Sequence, residues 1–339
     1  KVEALVDPGL DAARAGDYDA LRGILLDEKI KWDPKSVRDR HGATALLWAS
    51  GAGHLDCVKL LCEVSRPDTT PIDPSSSSSH QTGRRAYAGR TALHWAARNG
   101  HLSIVKYLVL EKKVDVDCVT GEGTTAFSWA IWRGRLEVAR WLVNEAHCVY
   151  SAVNTFGCNA AMWVAQGVEE EFSEGIEKSI REKGDDCDEV VSIPSTTPTA
   201  QYVKSLGVTF RLLNANGHGV VHKAAQRRNR GMCAFLLGYA SIEEEIGEAL
   251  LVSNNMSSSI SSPKARSLVD RNHLRPDAEG FRPSDLARLA GDMELHKWLC
   301  AVEQGYDDEE KDDSIKDTTK VTTVKDATKD SSEEKIQKT

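Results

Sequence analysis

The chain has 339 residues, 40% of them hydrophobic and 28% charged, enough for about two domains at ~150 residues each. Its net charge of −8 is uneven: residues 303–339 carry 12 acidic and 7 basic side chains, −5 of the total. The remainder is close to neutral, which argues against a broad basic surface for nucleic acid, and no apolar run approaches the ~20 residues of a membrane helix.

Eight cysteines without a dense framework fit reduced, buried thiols in an intracellular protein, although an Asn-Met-Ser sequon at Asn255 points weakly the other way. The chain starts at Lys1 with no signal-peptide pattern. A piece of a longer protein and a form matured by removal of a leader both stay open.

In chain order, the first element is LDAARAGD at 10–17, followed by Leu21, Ile24 and Leu25 at helical spacing. Next come GATALLWASGAGH at 42–54, GRTALHWAARNGH at 89–101 and GTTAFSWAIWRGR at 123–135. GCNAAMWVA at 157–165, GHGVVHKAA at 217–225 and a divergent GFRPSDLARLAG at 280–291 complete the series. The steps from Gly89 to Gly123 and from Gly123 to Gly157 are both 34 residues; the longer steps hold insertions.

The leading glycine permits a tight turn, and Thr44, Thr91 and Thr125 can cap the helix that follows. Ala96, Ala97 and Ala130 allow close packing, and Gly53, Gly100 and Gly134 end the first helix. A second helix follows at Leu102, Val105, Leu108 and Val109, and again at Leu136, Ala139, Leu142 and Val143. One such pair cannot bury its apolar face alone, so the units must stack.

These segments resemble ankyrin repeats, whose signature is Thr-Pro-Leu-His-x-Ala followed by Gly-His-Leu. Thr91, Leu93, His94 and residues 100–102 carry it best; alanine replaces the usual proline in three copies and Pro283 restores it. The resemblance implies an all-α ankyrin solenoid of about seven units, with helix pairs joined by hairpin loops. Residues 1–38 are read as the N-terminal capping repeat and 39–300 as repeats interrupted at 65–87, 168–199 and 238–272. Residues 277–299 form the C-terminal cap, its face made polar by Asp285, Arg288 and Asp292. Residues 301–339 are read as a disordered charged tail.

The 65–87 insertion contains Ser75–Ser79 and reads as a flexible loop. Phe172, Ile176 and Ile180 suggest a short helix within 168–199, and residues 200–206 a delayed second helix. Ile242, Ile246 and Leu250 suggest another helix before the serine-rich 253–262. Ser262–Pro263 and Thr197–Pro198 resemble proline-directed phosphorylation sites.

Catalytic signatures are missing: there is no phosphate loop, Gly-x-Ser-x-Gly, His-Glu-x-x-His or kinase set. The chain is therefore expected to be non-catalytic, with no cofactor, no metal and no small-molecule ligand. Cys57 and Cys62 fall about 140° apart on one helix and cannot easily share a metal. His94 and His222 occupy the signature position, where family histidines bridge neighbouring hairpins by hydrogen bonds. Trp48, Trp95, Trp129 and Trp163 share one register and read as a packing ladder.

Partners of ankyrin-type proteins bind the hairpin tips and the concave face of the first helices. Carried onto this sequence, those positions are Arg40, His41, Arg90, Arg98, Asn99, Glu122, Trp132, Arg133, Phe156, Gln166, His218, Gln226 and Arg227. Five arginines against one glutamate suit an acidic protein partner, and aromatic and arginine residues dominate interface energies. The alternative is that Trp132 leans on its own neighbour and the arginines are simply solvated. The expected function is a protein-binding scaffold or adaptor in cytoplasm or nucleus, or in a plastid or mitochondrion if a transit segment was removed. Two other readings are the ankyrin arm of a larger enzyme or channel and, less favoured, an RNA-binding protein.

Overall fold

A threonine or asparagine before the first helix of several units supplies an oxygen to backbone N–H groups that a helix start leaves unpaired. A computed structural model describes residues 7–27, 29–30, 32–63, 89–167, 198–239 and 267–307. Thr44 Oγ1 accepts from the Leu47 N–H at 3.4 Å, Thr125 Oγ1 from Ser128 at 3.2 Å and Asn159 Oδ1 from Met162 at 3.2 Å. At Thr91 the backbone N–H donates to Nδ1 of His94, at 3.2 Å.

Among the described residues there are seven helix pairs. Unit 1 is α1 (Pro8–Ala15) and α2 (Tyr18–Leu26), and unit 2 is α3 (Ala45–Ala52) and α4 (Leu55–Glu63). In unit 3, α5 (Ala92–Asn99) is followed by α6 (Leu102–Lys106), which widens into a π turn over Tyr107–Glu111. Unit 4 is α7 (Ala126–Trp132) and α8 (Leu136–Asn144), and unit 5 is α9 (Ala160–Gln166) and α10 (Pro198–Ser205). Unit 6 is α11 (Val220–Gln226) and α12 (Arg230–Leu237); unit 7 is α13 (Pro283–Leu289) and α14 (293–307). The first helices α1, α3, α5, α7, α9, α11 and α13 stack one on the next, forming an inner layer. Helices α2, α4, α6 and α8 form the outer one.

Small side chains set the spacing of the inner layer. Ala45, Ala49, Ala96, Ala97, Ala126 and Ala130 are all fully buried, and the gaps between layers are filled by Leu93, Ile104, Phe127, Ile131 and Leu142. Each such large side chain contributes roughly 1.5–3 kcal/mol of transfer free energy on full burial.

Hairpins join the units through a device absent from the sequence reading. Asp39, Asn154, Asn214 and Asp277 each lie three residues before a turn glycine. Each accepts two backbone N–H groups, two and four residues ahead, at 2.8–3.1 Å. Successive tips are tied backbone to backbone: Thr155 N to Glu122 O at 3.0 Å, Ala215 N to Phe156 O at 2.9 Å and Ala278 N to Asn216 O at 3.0 Å. Gly157 shows why glycine is needed there. Its φ is +79°, and a Cβ would come within 3.3 Å of the Ala215 nitrogen on the next tip.

Two expectations are corrected at the C-terminal end. The charged tail does not begin at residue 301, because α14 continues to residue 307 with Val302 and Glu303 buried. Asp292 does not face outward: it is buried, caps α14 through the Leu295 N–H at 3.0 Å, and binds Arg230 of unit 6. The delayed second helix of unit 5 is present two residues earlier than expected, starting at Pro198. The remaining insertion readings, for 65–87, 168–197 and 240–266 with their serine runs and Ser-Pro sites, lie outside the described residues, as do Asn255 and the tail beyond 307.

Candidate binding face

On the inner layer of units 3 to 5, tryptophans and arginines interleave. Trp129 is 6% exposed and meets Trp95 edge-on, with ring centroids 5.6 Å apart. Trp132 closes on Trp129 at 6.5 Å and on Trp163 at 6.2 Å. The expected ladder of one tryptophan per unit is therefore modified: Trp132 supplies the link between Trp129 and Trp163 from a position one helical turn along. Such edge-to-face pairs contribute about 0.5–1.5 kcal/mol each beyond their buried area.

The arginines are placed by these rings. The Arg98 guanidinium stands 5.3 Å from both the Trp95 and the Trp132 rings, and its Nη1 donates to Asn99 Oδ1 at 3.2 Å. Arg90 lies 5.0 Å over Trp129 and Arg133 6.0 Å over Trp132. Neither alternative from the sequence describes this fully. Trp132 does lean on its neighbours, yet the arginines are stacked on indoles rather than simply solvated.

The other candidates scatter. Arg40 is exposed on the unit 2 hairpin and donates from Nε to His41 Nε2 at 2.9 Å. Asn99 donates to the Gly51 carbonyl at 2.6 Å, tying unit 3 to unit 2. Glu122 is exposed at a tip, and its carbonyl receives both Thr155 N and Thr155 Oγ1. Phe156, 52% exposed, projects from the next tip, and Gln166 is half-buried at the end of α9. His218 is engaged structurally: Nε2 meets Asp277 Oδ2 at 2.7 Å and its ring stacks on His222 at 5.6 Å. Gln226 and Arg227 are exposed at the end of α11.

At His94 the signature histidine bridges hairpins as the resemblance implies; at His222 Nδ1 accepts from the Gly219 N–H at 3.3 Å and, among the described residues, Nε2 makes no hydrogen bond to the next hairpin. The His94 Nδ1 accepts from Thr91, so Nε2 carries the proton and donates to the Thr124 carbonyl at 3.1 Å. Burial pushes its pKa down to about 4, and burial together with the neighbouring His218 does the same for His222. The seven cysteines among the described residues are free thiols. Among the described residues no helix is long and apolar enough to cross a membrane, and no cluster of three His, Cys, Asp or Glu could hold a metal ion.

Sequence reasoning missed one row. Val119, Val153 and Leu213 each directly precede the first residue of a hairpin, and all three are exposed. Their shared place one residue before Thr120, Asn154 and Asn214 is the signal that could have found them.

A helical-repeat solenoid with an aromatic and cationic inner face is a class of protein built around an extended surface. The family model described as ankyrin repeats, in three copies, matches residues 10–118 and 72–154. Residues 10–154 match the ankyrin-repeat family, and the later helix pairs keep the same architecture through residue 307. No match to a curated protein was found. Ankyrin repeats are generally protein–protein interaction modules.

Proposed function

We propose that the chain is a non-catalytic scaffold or adaptor that grips an acidic protein partner across units 3 to 5. The observation that carries this reading is the stacking of Arg90 and Arg98 on Trp95, Trp129 and Trp132. Stacked guanidiniums have already lost part of their side-chain freedom, so pairing with a carboxylate costs less ordering entropy. Phe156 and the Val119–Val153–Leu213 row supply apolar contact along the hairpin edge beside these charges.

The test replaces Phe156 with a photo-crosslinking phenylalanine analogue and, as a control, does the same at Glu137, exposed on outer helix α8. Irradiation in native lysate should label a defined protein from position 156 and not from 137. The label should fade in an Arg90→Gln/Arg98→Gln background. Equal labelling from both positions would overturn the reading.

A further inference from the structure

One stretch of the inner face differs from the rest. At the last turn of the inner helix, unit 1 carries Arg14, unit 3 carries Arg98 and Asn99, and unit 4 carries Trp132 and Arg133. Unit 2 carries Gly51 and Ala52 at those places. The missing side chains leave a cleft of about 330 Å³, floored by Leu47, Gly51 and Ala52 and walled by Trp48 and Trp95. Its size is at the small end of the roughly 300–1,000 Å³ of ligand clefts, room for one bulky side chain.

The rim is cationic. Arg14 is exposed on one side, its guanidinium 5.0 Å over the Trp48 ring, and Arg98 stands over Trp95 on the other. None of the residues lining the cleft is acidic. Trp48 itself is fixed in place by a 3.2 Å hydrogen bond from its Nε1 to Asp39 Oδ2. An apolar, aromatic-walled hole beside a held guanidinium suits an apolar side chain with a carboxylate next to it.

We propose that this cleft receives a single large aliphatic or aromatic side chain from an acidic peptide segment, with Arg14 pairing to the adjacent carboxylate. The proposal rests on the inner face being the protein-binding face. It adds the chemistry of the bound segment and a second anchoring point, one unit before the tryptophan–arginine stack. The cleft opens between α1, α3 and α5, and Arg98 borders both it and the stack. An extended segment crossing these helices therefore engages both places.

The probe is a library of random twelve-residue peptides displayed on phage and selected against the whole chain. Enriched peptides are then made with a fluorophore and titrated by fluorescence polarisation. Gly51→Met fills the hole from its floor. A Cβ there meets Asn99 Nδ2 at 3.6 Å and Trp95 Cβ at 3.8 Å, ordinary contact distances, and losing a helical glycine favours the helix.

The expected result is a consensus pairing Leu, Met, Phe or Trp with Asp or Glu. Binding should weaken at least tenfold in Gly51→Met and several-fold in Arg14→Glu, with Glu137→Lys unchanged. As a second readout that does not depend on variants, the indole N–H signals of Trp48 and Trp95 should move on peptide addition. Three results overturn the proposal: no enrichment, a consensus lacking the apolar–acidic pair, or equal binding to Gly51→Met with both indole signals unmoved. Peptides that ignore Gly51→Met yet are lost in Arg90→Gln/Arg98→Gln would sink the cleft and leave the inner-face reading standing. Failure of the crosslinking at position 156 would sink that reading separately.

Discussion

Units 3 to 5 and units 6 to 7 share one architecture and are fastened by different physics. In the first group, neighbouring units meet through indole rings, stacked guanidiniums and a neutral buried histidine. In the second, hydrogen bonds to buried carboxylates join one edge-on ring pair, Tyr239 and Trp298 at 5.2 Å, in tying the units. Arg230 grips Asp292 with two hydrogen bonds, at 2.9 and 2.7 Å, and reaches Glu294 at 2.8 Å, while His218 meets Asp277 at 2.7 Å. Within unit 7, the buried Glu303 carboxyl takes the Ser284 N–H and hydroxyl at 2.9 and 2.6 Å, and burial raises its pKa to about 7. Ring stacking itself does not titrate, whereas the buried His94 of the first group loses its contribution in acid and the buried Glu303 of the second loses its contribution as pH rises. A repeat protein in which each unit contacts only its neighbours can therefore respond differently at its two ends.

The strongest way to break the comparison is Trp129→Ala. Removing a large side chain that touches three other rings should cost about 3–5 kcal/mol, read as a lower urea midpoint. A loss under about 1 kcal/mol would remove the stack from the list of structural elements.

Acid comes next. His94 and His222 have folded pKa values of about 4, below the unfolded value of 6.5. The stability they contribute is complete above pH 6.5 and is lost as pH falls toward 4. Each contributes a slope of roughly 1.4 kcal/mol per pH unit, so the Tm should drop clearly between pH 6.5 and 5.5. Glu303 has the opposite sign. Its contribution is complete below pH 4.5 and lost as pH rises through about 7. Hydrogen exchange in 293–307 should accordingly speed up from pH 6 to 8 in excess of the intrinsic base-catalysed rate, while α5 and α7 show no such excess. A uniform response along the chain would refute the contrast.

Arg230→Met should cost about 1.5–3 kcal/mol by leaving Asp292 buried without its charged partner, and the loosening should be confined to α12–α14 in hydrogen exchange. Smallest is Arg98→Gln, which removes half-exposed cation–π contacts. Its stability cost should stay below about 1 kcal/mol, while any partner affinity falls by more. Trp132→Ala does not separate binding from folding in this way, because Trp132 is packed between Trp129 and Trp163.

The candidate face was partly legible. Arg98, Trp132 and Arg133 were selected by register, and they do gather on one surface. His218 was selected by the same rule and serves a hairpin instead, because Asp277 comes within 2.7 Å only once unit 7 stacks on unit 6. The Asp39, Asn154, Asn214 and Asp277 turns were readable in principle, from a short acid or amide three residues before each turn glycine. The cleft was not. Gly51 and Ala52 look like ordinary small residues until Trp48 and Trp95 stand on either side of them.

The sequence by itself determined the units: the turn glycines that punctuate them, which face is apolar, and that single units must stack to bury it. Those properties depend on residues three or four apart, within reach of local spacing rules. Tertiary structure alone decided which tryptophans touch, which arginines they hold, that Asp292 turns inward and that α14 continues past residue 300. These depend on side chains up to some sixty positions apart, such as Arg230 and Asp292, which meet only when successive units are in register.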